Sequence, residues 1–414
     1  MPNPETQHCP VVVIGAGPAG AIAAALLKRK GHDVLVIERQ QFPRFSIGES
    51  LLSHCIDFVA EAGMLEALQA HGFQLKNGAA FACGERYSAF DFGDTFSEGR
   101  PTTFQVQRGE FDKLLADQAA LQGVEIRYEE EIIAADFSAE PQLRVRRHDG
   151  SEYRLSADFV LDASGYGRVL PRLLDLEAPS DFPVRRAVFT HIEDRIDHQG
   201  FDRDKILVTV HPTKRDVWFW SIPFSNGRCS LGMVAGEEHF ADAGADLDAF
   251  LKGMVAQTPS LQAVLCNAVW DTPARTLGGY AANVKALHGP GFALLGNAAE
   301  FLDPVFSSGV TIAMRSASMA AAVLDRQLKG EAVDWHSEFA EPLKRGVDTF
   351  RAYVEGWYDG SFQDVIFHPG SSPDIRRMIS SILAGYAWDS RNPFVAEPKR
   401  RLRMLAEVCA GSAA

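Results

Sequence analysis

The sequence predicts an α/β fold: a nucleotide-binding domain on a parallel sheet, an inserted, largely antiparallel sheet, and a helical C-terminal cap. Three observations predict it. A β-branched run, Pro10–Ile14, leads directly into Gly15, Gly17 and Gly20. Much of residues 180–275 alternates with period two, the signature of strands with two unlike faces. The tail beyond about residue 335 is aromatic-rich and then helical in pattern, as expected of a cap packed on the substrate side.

Taken in order, Pro10–Ile14 reads as a buried strand, Ala21–Lys30 as a helix whose alanines allow close packing, and His32–Glu38 as a second strand. One long helix is expected over Leu51–Ala70, then strands and turns over Ala79–Phe104. Glu110–Gln122 reads as helix and Val124–Tyr128 as strand. Leu143–Arg147 and Tyr153–Leu155 flank Asp149-Gly150, a hairpin signal. Phe159–Asp162 is a further apolar strand. Ile206–Val210, Val217–Ile222 and Cys229–Val234 carry the alternation, with a helix at Leu247–Gln257. A strand at Gly291–Gly296 and a long helix at Val310–Leu328 return the chain to the first domain. The expected division is therefore 1–75, 105–175 and 280–330 for the nucleotide-binding domain, 76–104 and 176–279 for the substrate-side sheet, and 331–414 for the cap.

A net charge of -13 argues against nucleic acid, whose phosphates call for a basic surface. No stretch of about 18 apolar residues suggests a membrane span. Six scattered cysteines, none in a CxxC pair or at metal-ligand spacing, suit free thiols, no metal site and a cytoplasmic setting.

Gly15-Ala16-Gly17-Pro18-Ala19-Gly20 fits GxGxxG in the required context, after a strand and before a helix. Gly15 permits the tight turn, Gly17 lets the backbone approach a pyrophosphate, and Gly20 lets helix and strand pack closely. The helix N-terminus offers unpaired N–H groups to the phosphates. Glu38 ends the second strand, where a carboxylate accepts hydrogen bonds from a ribose diol, favouring FAD or NAD over NADP.

Later motifs decide between these two. Gly296-Asn297-Ala298-Ala299 and Asp162-Ala163-Ser164-Gly165 resemble motifs of FAD enzymes of the aromatic-hydroxylase class, with Asn297 replacing the usual acid. Arg44 and Arg108 resemble that class's flavin-contacting arginines, although an arginine alone reads as a surface ion pair. The resemblance also implies cofactor contacts for Ala19, Arg39, Ile47, Glu49, Ser50, Pro304, Gly309 and Val310. No second nucleotide-binding motif for NAD(P)H is present, so a separate flavin reductase is the expected partner.

Trp218-Phe219-Trp220-Ser221-Ile222-Pro223 matches WxWxIP, a pattern resembling the signature of flavin-dependent halogenases. Alternation puts Trp218, Trp220 and Ile222 on one face of a strand, with Pro223 ending the motif. In the family this bulk separates flavin from substrate, so that a small oxidant must travel. Phe301–Gly309 matches the family's FxxPxxSxG pattern. Ser307 or Ser308 can N-cap the following helix, and the resemblance implies a halide held by backbone near Ser307, Ser308 and Gly309. Lys76 stands where the family's catalytic lysine lies, hydrogen-bonding hypohalous acid as an ammonium or forming a haloamine when neutral.

What the resemblance implies is halogenation with FADH2, O2 and chloride or bromide. The expected substrate is a small electron-rich aromatic, a phenol or pyrrole, free or tethered to an acyl carrier protein. Phe306 replaces the glutamate that tryptophan halogenases carry two residues after the motif proline, which argues against free tryptophan. A flavin monooxygenase or a prenyl-chain reductase on the same fold is the alternative enzyme, and a flavin-loaded accessory subunit the non-enzymatic one.

Overall fold

The computed structural model describes residues 6–241, 244 and 246–411. Its central sheet has the strand order His288–Gly289, Phe292–Leu294, Phe159–Asp162, Val11–Ile14, Val34–Glu38, Glu125–Tyr128. All neighbours pair in parallel except the antiparallel edge pair His288–Gly289 and Phe292–Leu294. Val11–Ile14 and Val34–Glu38 are buried throughout, as strands covered on both faces must be. The helix Pro18–Arg29 lies between the helices Ser308–Leu328 and Arg108–Leu121, and its alanines Ala21 and Ala23–Ala25 are fully buried there. Thr6–His8, Glu152–Ser156, Gln142–Arg147 and Glu130–Asp136 form a second, four-stranded sheet containing the hairpin expected at Asp149-Gly150.

A third sheet of seven strands runs Arg275–Gly278, Arg185–Glu193, Arg228–Gly236, Trp218–Pro223, Lys205–Val210, Gly78–Cys83, Arg86–Asp91. Its pairings are antiparallel except Lys205–Val210 with Gly78–Cys83, because those two strands come from distant segments. One face carries Trp218, Trp220 and Ile222 toward the main core. The other carries Phe219 onto the helices Leu247–Ala256 and Pro259–Val264. A two-stranded ribbon pairs Gln74–Lys76 with Thr103–Gln105.

The single helix expected over Leu51–Ala70 is two helices, Ser53–Glu61 and Leu65–His71. The chain breaks at Gly63, whose φ of 70° leaves the helical region. Helices make up the tail, the longest being Glu341–Tyr358, which packs on Ser308–Leu328 and Pro398–Gly411. Among the described residues no helix is long and apolar enough to cross a membrane, and all six cysteines are free.

Candidate active site

A cleft of about 460 Å³ opens between the C-terminal ends of the parallel strands and the Trp218–Pro223 strand. Its first wall is the glycine turn. Gly15 has φ +95°, and a Cβ there would lie 2.7 Å from the Ala163 carbonyl oxygen, so only glycine fits. Gly17 is the N-cap of the helix Pro18–Arg29 and brings no side-chain acceptor, so Gly17, Pro18 and Ala19 present the helix N-terminus to the cleft. Glu38 is buried, and its two carboxylate oxygens accept from the Ala16 and Gln40 N–H groups, both at 2.9 Å. It therefore braces the glycine turn while lining the cleft, with spare acceptor capacity on each oxygen.

Arg39, Arg44, Ile47 and Arg108 also line the cleft. Arg108 forms a two-pronged ion pair with Asp112, with bonds of 2.8 and 3.0 Å, and donates to the Ile47 carbonyl at 2.7 Å. Arg44 reaches the same Asp112 at 3.1 Å. Asp112 thus anchors both arginines; the sequence reading missed it, although its position four residues after Arg108 on a helix was the available signal. Glu49 is 1% exposed; one oxygen takes a 2.8 Å hydrogen bond with His191 Nε2, while the other, Oε2, is buried with no partner among the described residues. His191 was also missed, and no motif marks it.

Asn297, Pro304, Ser307, Gly309 and Val310 line the opposite wall. Ser307 occupies the N-cap of the helix Ser308–Leu328, but it is left-handed (φ 54°) and its side chain makes no capping bond, contrary to the expected serine cap. The Asp303 side chain does the local capping instead, accepting from the Val305 N–H at 3.0 Å. The N-terminus of the long helix is thereby left without a side-chain acceptor, facing the cleft at Ser307 and Gly309.

Five expected contacts stand behind the cleft rather than on its wall. Asp162 is fully buried, and its oxygens accept from Ser164 N–H (2.9 Å) and Leu170 N–H (2.6 Å), so it shapes the turn after its strand. Gly20 packs on Gly15, and Gly296 on Ala313. Ser308 is 2% exposed and turned inward. Pro223 closes the tryptophan strand at its far end.

Trp218, Trp220 and Ile222 form the wall facing the parallel strands. The Trp218 indole N–H donates to the Tyr358 hydroxyl at 2.9 Å, which donates to Asp303 at 2.9 Å. The Trp220 N–H donates to Ser230 at 3.0 Å. Both rings are therefore held by their polar edges as well as by packing. Burial raises the Asp303 carboxyl to about 6, opposed by the Arg185 charge, whose guanidinium lies over the Tyr358 ring.

Lys76 is not on the cleft wall but directly behind it. Its Nζ is enclosed (the residue is 1% exposed) and donates to Ser50 Oγ and the Leu51 carbonyl, both at 2.8 Å; Ser50 in turn lines the cleft. The third direction faces the Phe92 ring at 5.2 Å. Burial lowers the ammonium from its usual value to about 7, with Cys55 opposing the shift weakly. A neutral amine keeps both hydrogen bonds as donor and leaves its lone pair on the side of the Phe92 ring.

The chain matches the FAD binding domain family model over residues 8–342. Tryptophan 2-halogenase from Chondromyces crocatus is 31% identical over 334 residues, 78% of this chain and 62% of that protein. The 1H-pyrrole-2-carbonyl-(peptidyl-carrier protein) brominase of Pseudoalteromonas luteoviolacea is 28% identical over 81% of each chain. The chain belongs to the FAD-binding-domain family, and these curated relatives within it are halogenases. A solved flavoprotein/dehydrogenase from Cytophaga hutchinsonii shares this architecture with a TM-score of 0.95 and 43% identity, covering 99% of this chain and all of that one. The residues in the cleft fit FAD on their own chemistry. The glycine turn and open helix N-terminus suit a pyrophosphate, Glu38 suits a ribose, and the orphaned Glu49 oxygen suits an N–H or O–H donor of the cofactor.

The lysine leaves a thermodynamic signature. Its folded value near 7 lies below the ordinary value of about 10.4 in an unfolded chain. Between these two pH values the unfolded chain binds more protons, so native stability rises with pH across that window and is penalised below it. Urea unfolding is expected to show wild-type stability increasing from pH 7 to pH 9, and Lys76→Met should flatten that rise by up to a few kcal/mol. Equal slopes in both proteins would place the charge in water.

Proposed function

We propose that this enzyme chlorinates or brominates a small electron-rich ring, a phenol or a pyrrole, free or carried on an acyl carrier protein, and that a separate NAD(P)H flavin reductase supplies the reduced cofactor. The observation that carries the reading is the enclosed Lys76 ammonium, tied through Ser50 to a cleft walled by Trp218 and Trp220. Reduced FAD, when bound, supplies the activation of oxygen. The open N-terminus at Ser307–Gly309 attracts the halide, with backbone N–H groups at Ser308 and Gly309 as its donors. The indole wall keeps the ring away from the cofactor, so only a small oxidant reaches the far side. At Nζ of Lys76 an ammonium N–H bonds the oxygen of hypohalous acid and makes its halogen more electrophilic; a neutral Nζ instead attacks the halogen, the halogen–oxygen bond breaks, and the hydroxyl leaves as water with an amine proton, giving a haloamine.

Phe306 supports an activated ring. It is 4% exposed and packed edge-on against Tyr353, Trp357 and Phe362, so this position offers an aromatic wall and no carboxylate. A phenol or pyrrole needs less assistance than a less activated ring. The carrier-tethered form is the one named for the pyrrole brominase relative.

The test is product mass. With a flavin reductase, NADH, oxygen and either chloride or bromide, a panel of phenols, pyrroles and carrier-bound pyrrolyl groups is expected to yield a product with the isotope pattern of the halide supplied. Hydroxylated product formed without halide, or a reduced prenyl chain, would establish the alternative chemistry.

A further inference from the structure

We infer that Tyr358, in the helical cap, is a positioning residue for the reaction: its hydroxyl fixes the Trp218 ring in the indole wall, and without that hold oxidant is lost before it reaches the acceptor ring. The Trp218 indole N–H donates to the Tyr358 hydroxyl at 2.9 Å, and that hydroxyl donates to Asp303 Oδ2 at 2.9 Å. The order of the chain is directional. The carboxylate takes the hydroxyl proton, which leaves an oxygen lone pair for the indole N–H. Asp303 is held in turn by the Val305 N–H at 3.0 Å, so the far end is anchored on the segment that leads to Ser307 and Gly309.

Distant parts of the chain meet at this hydroxyl, and each is braced independently. Tyr358 ends the helix Glu341–Tyr358, Trp218 begins the strand Trp218–Pro223, and Asp303 precedes the helix Ser308–Leu328. The Tyr358 ring lies against the Arg185 guanidinium, 3.3 Å from its centroid. The turn after Tyr358 also grips the chain just ahead of Trp218. Arg215 donates to the Gly360 carbonyl at 2.9 Å and to Asp364 at 2.7 Å. The Gln363 amide donates to the carbonyls of Arg215 at 2.8 Å and Trp357 at 3.0 Å. The cap therefore holds both the entry to the strand and the polar edge of its first indole.

Trp218 depends on the cap, whereas Trp220 does not. The Trp220 N–H has its acceptor in Ser230, on the neighbouring strand of the same sheet. The two rings stand 6.0 Å apart, so one wall is held from two sides. Trp218 is 1% exposed and lines the cleft. Phenylalanine at 358 keeps the ring against Arg185 but strips the Trp218 N–H of its acceptor and Asp303 of a donor. A buried N–H in that state is disfavoured, so the indole turns toward another acceptor or toward water, and the wall loosens. The effect on halogenation rests on the halogenase reading above; the hold on the indole does not.

The experiment compares wild type, Tyr358→Phe, Trp218→Phe and the double variant. The first readout is hydrogen exchange of the indole N–H groups, followed by NMR of holoenzyme carrying isotope-labelled tryptophan; the Trp218 signal is the one missing from Trp218→Phe. The second is a single turnover, in which anaerobically reduced holoenzyme is mixed with oxygen, bromide and resorcinol. Excess monochlorodimedone intercepts hypobromous acid that escapes. In Tyr358→Phe of wild-type flavin content, the Trp218 N–H is expected to exchange at least about tenfold faster. Brominated resorcinol per flavin oxidised should fall at least about threefold while brominated monochlorodimedone rises. Adding Tyr358→Phe to Trp218→Phe should lower the resorcinol product no further, because the hydroxyl acts through the N–H. Unchanged exchange or unchanged product per flavin in Tyr358→Phe would overturn the assignment. So would a further fall in the double variant, which marks a structural role apart from the indole. Faster exchange in Tyr358→Phe, with neither probe brominated by wild type, would keep Tyr358 as the anchor of the indole and reject the halogenase reading.

Discussion

Replacing Lys76 by methionine is expected to lower halogenated product by about 10²–10⁴-fold while FAD content, the flavin spectrum and oxygen consumption with reduced flavin stay near wild type. The separation follows from position. Lys76 does not line the cleft and contacts it only through Ser50, so removing the amine takes nothing from the cofactor's walls. Methionine keeps much of the side-chain volume. It strips the Ser50 hydroxyl and the Leu51 carbonyl of their donor, but it also removes a desolvated ammonium, so the fold is not expected to collapse. Arginine is not a conservative control, because its guanidinium stays charged where this site brings an amine to about 7. The measurement is liquid chromatography–mass spectrometry of product beside oxygen uptake on the same sample. Product formed at the wild-type rate would remove Lys76 from the reaction, and loss of FAD together with product would reassign it to cofactor binding.

The parallel core was legible because its signals are local and periodic. Val11–Ile14 and Val34–Glu38 are continuous apolar runs, and the glycines between them have spacing that a turn and a helix start require. The face of the tryptophan strand was equally legible, since period two sends Trp218, Trp220 and Ile222 one way and Phe219 the other.

What stayed hidden depends on partners far along the chain. His191 gains meaning only from Glu49, and Tyr358 only from Trp218 and Asp303. A lysine defaults to solvent, and nothing near residue 76 announces that Ser50 and Leu51 will close over it. At two motif residues local backbone needs show that the sequence does not announce. Asp162 spends both oxygens on the turn after its strand, and left-handed Ser307 has a side chain that makes no capping bond.

Alanine at Gly20 is expected to empty the enzyme of FAD and destabilise it by about 1–3 kcal/mol, whereas alanine at Gly17 should spare the apoprotein. A Cβ on residue 20 would sit 1.9 Å from the Gly15 carbonyl oxygen, 3.0 Å from the Gly15 carbonyl carbon and 3.3 Å from the Ala163 Cβ. Two of these are backbone atoms of the turn itself, so no side chain can swing aside to make room. The helix Pro18–Arg29 would have to withdraw, yet Ala21 and Ala23–Ala25 are fully buried beneath it and Ser308–Leu328 packs alongside. Withdrawal moves the helix N-terminus and the Gly15–Gly17 turn together, and with them the donors that face a pyrophosphate. At Gly17 the nearest atom to a new Cβ is the Arg44 Nη2 at 3.4 Å, the end of a flexible side chain. There the extra carbon would point into the cleft, on the side a pyrophosphate would approach, rather than against the protein. Flavin content after desalting and the melting temperature of the apoprotein should therefore separate the two: Gly20→Ala loses both, and Gly17→Ala loses flavin alone. Equal melting temperatures for Gly20→Ala and wild-type apoprotein would mean that the helix and the turn do not pack as closely as the 1.9 Å approach requires.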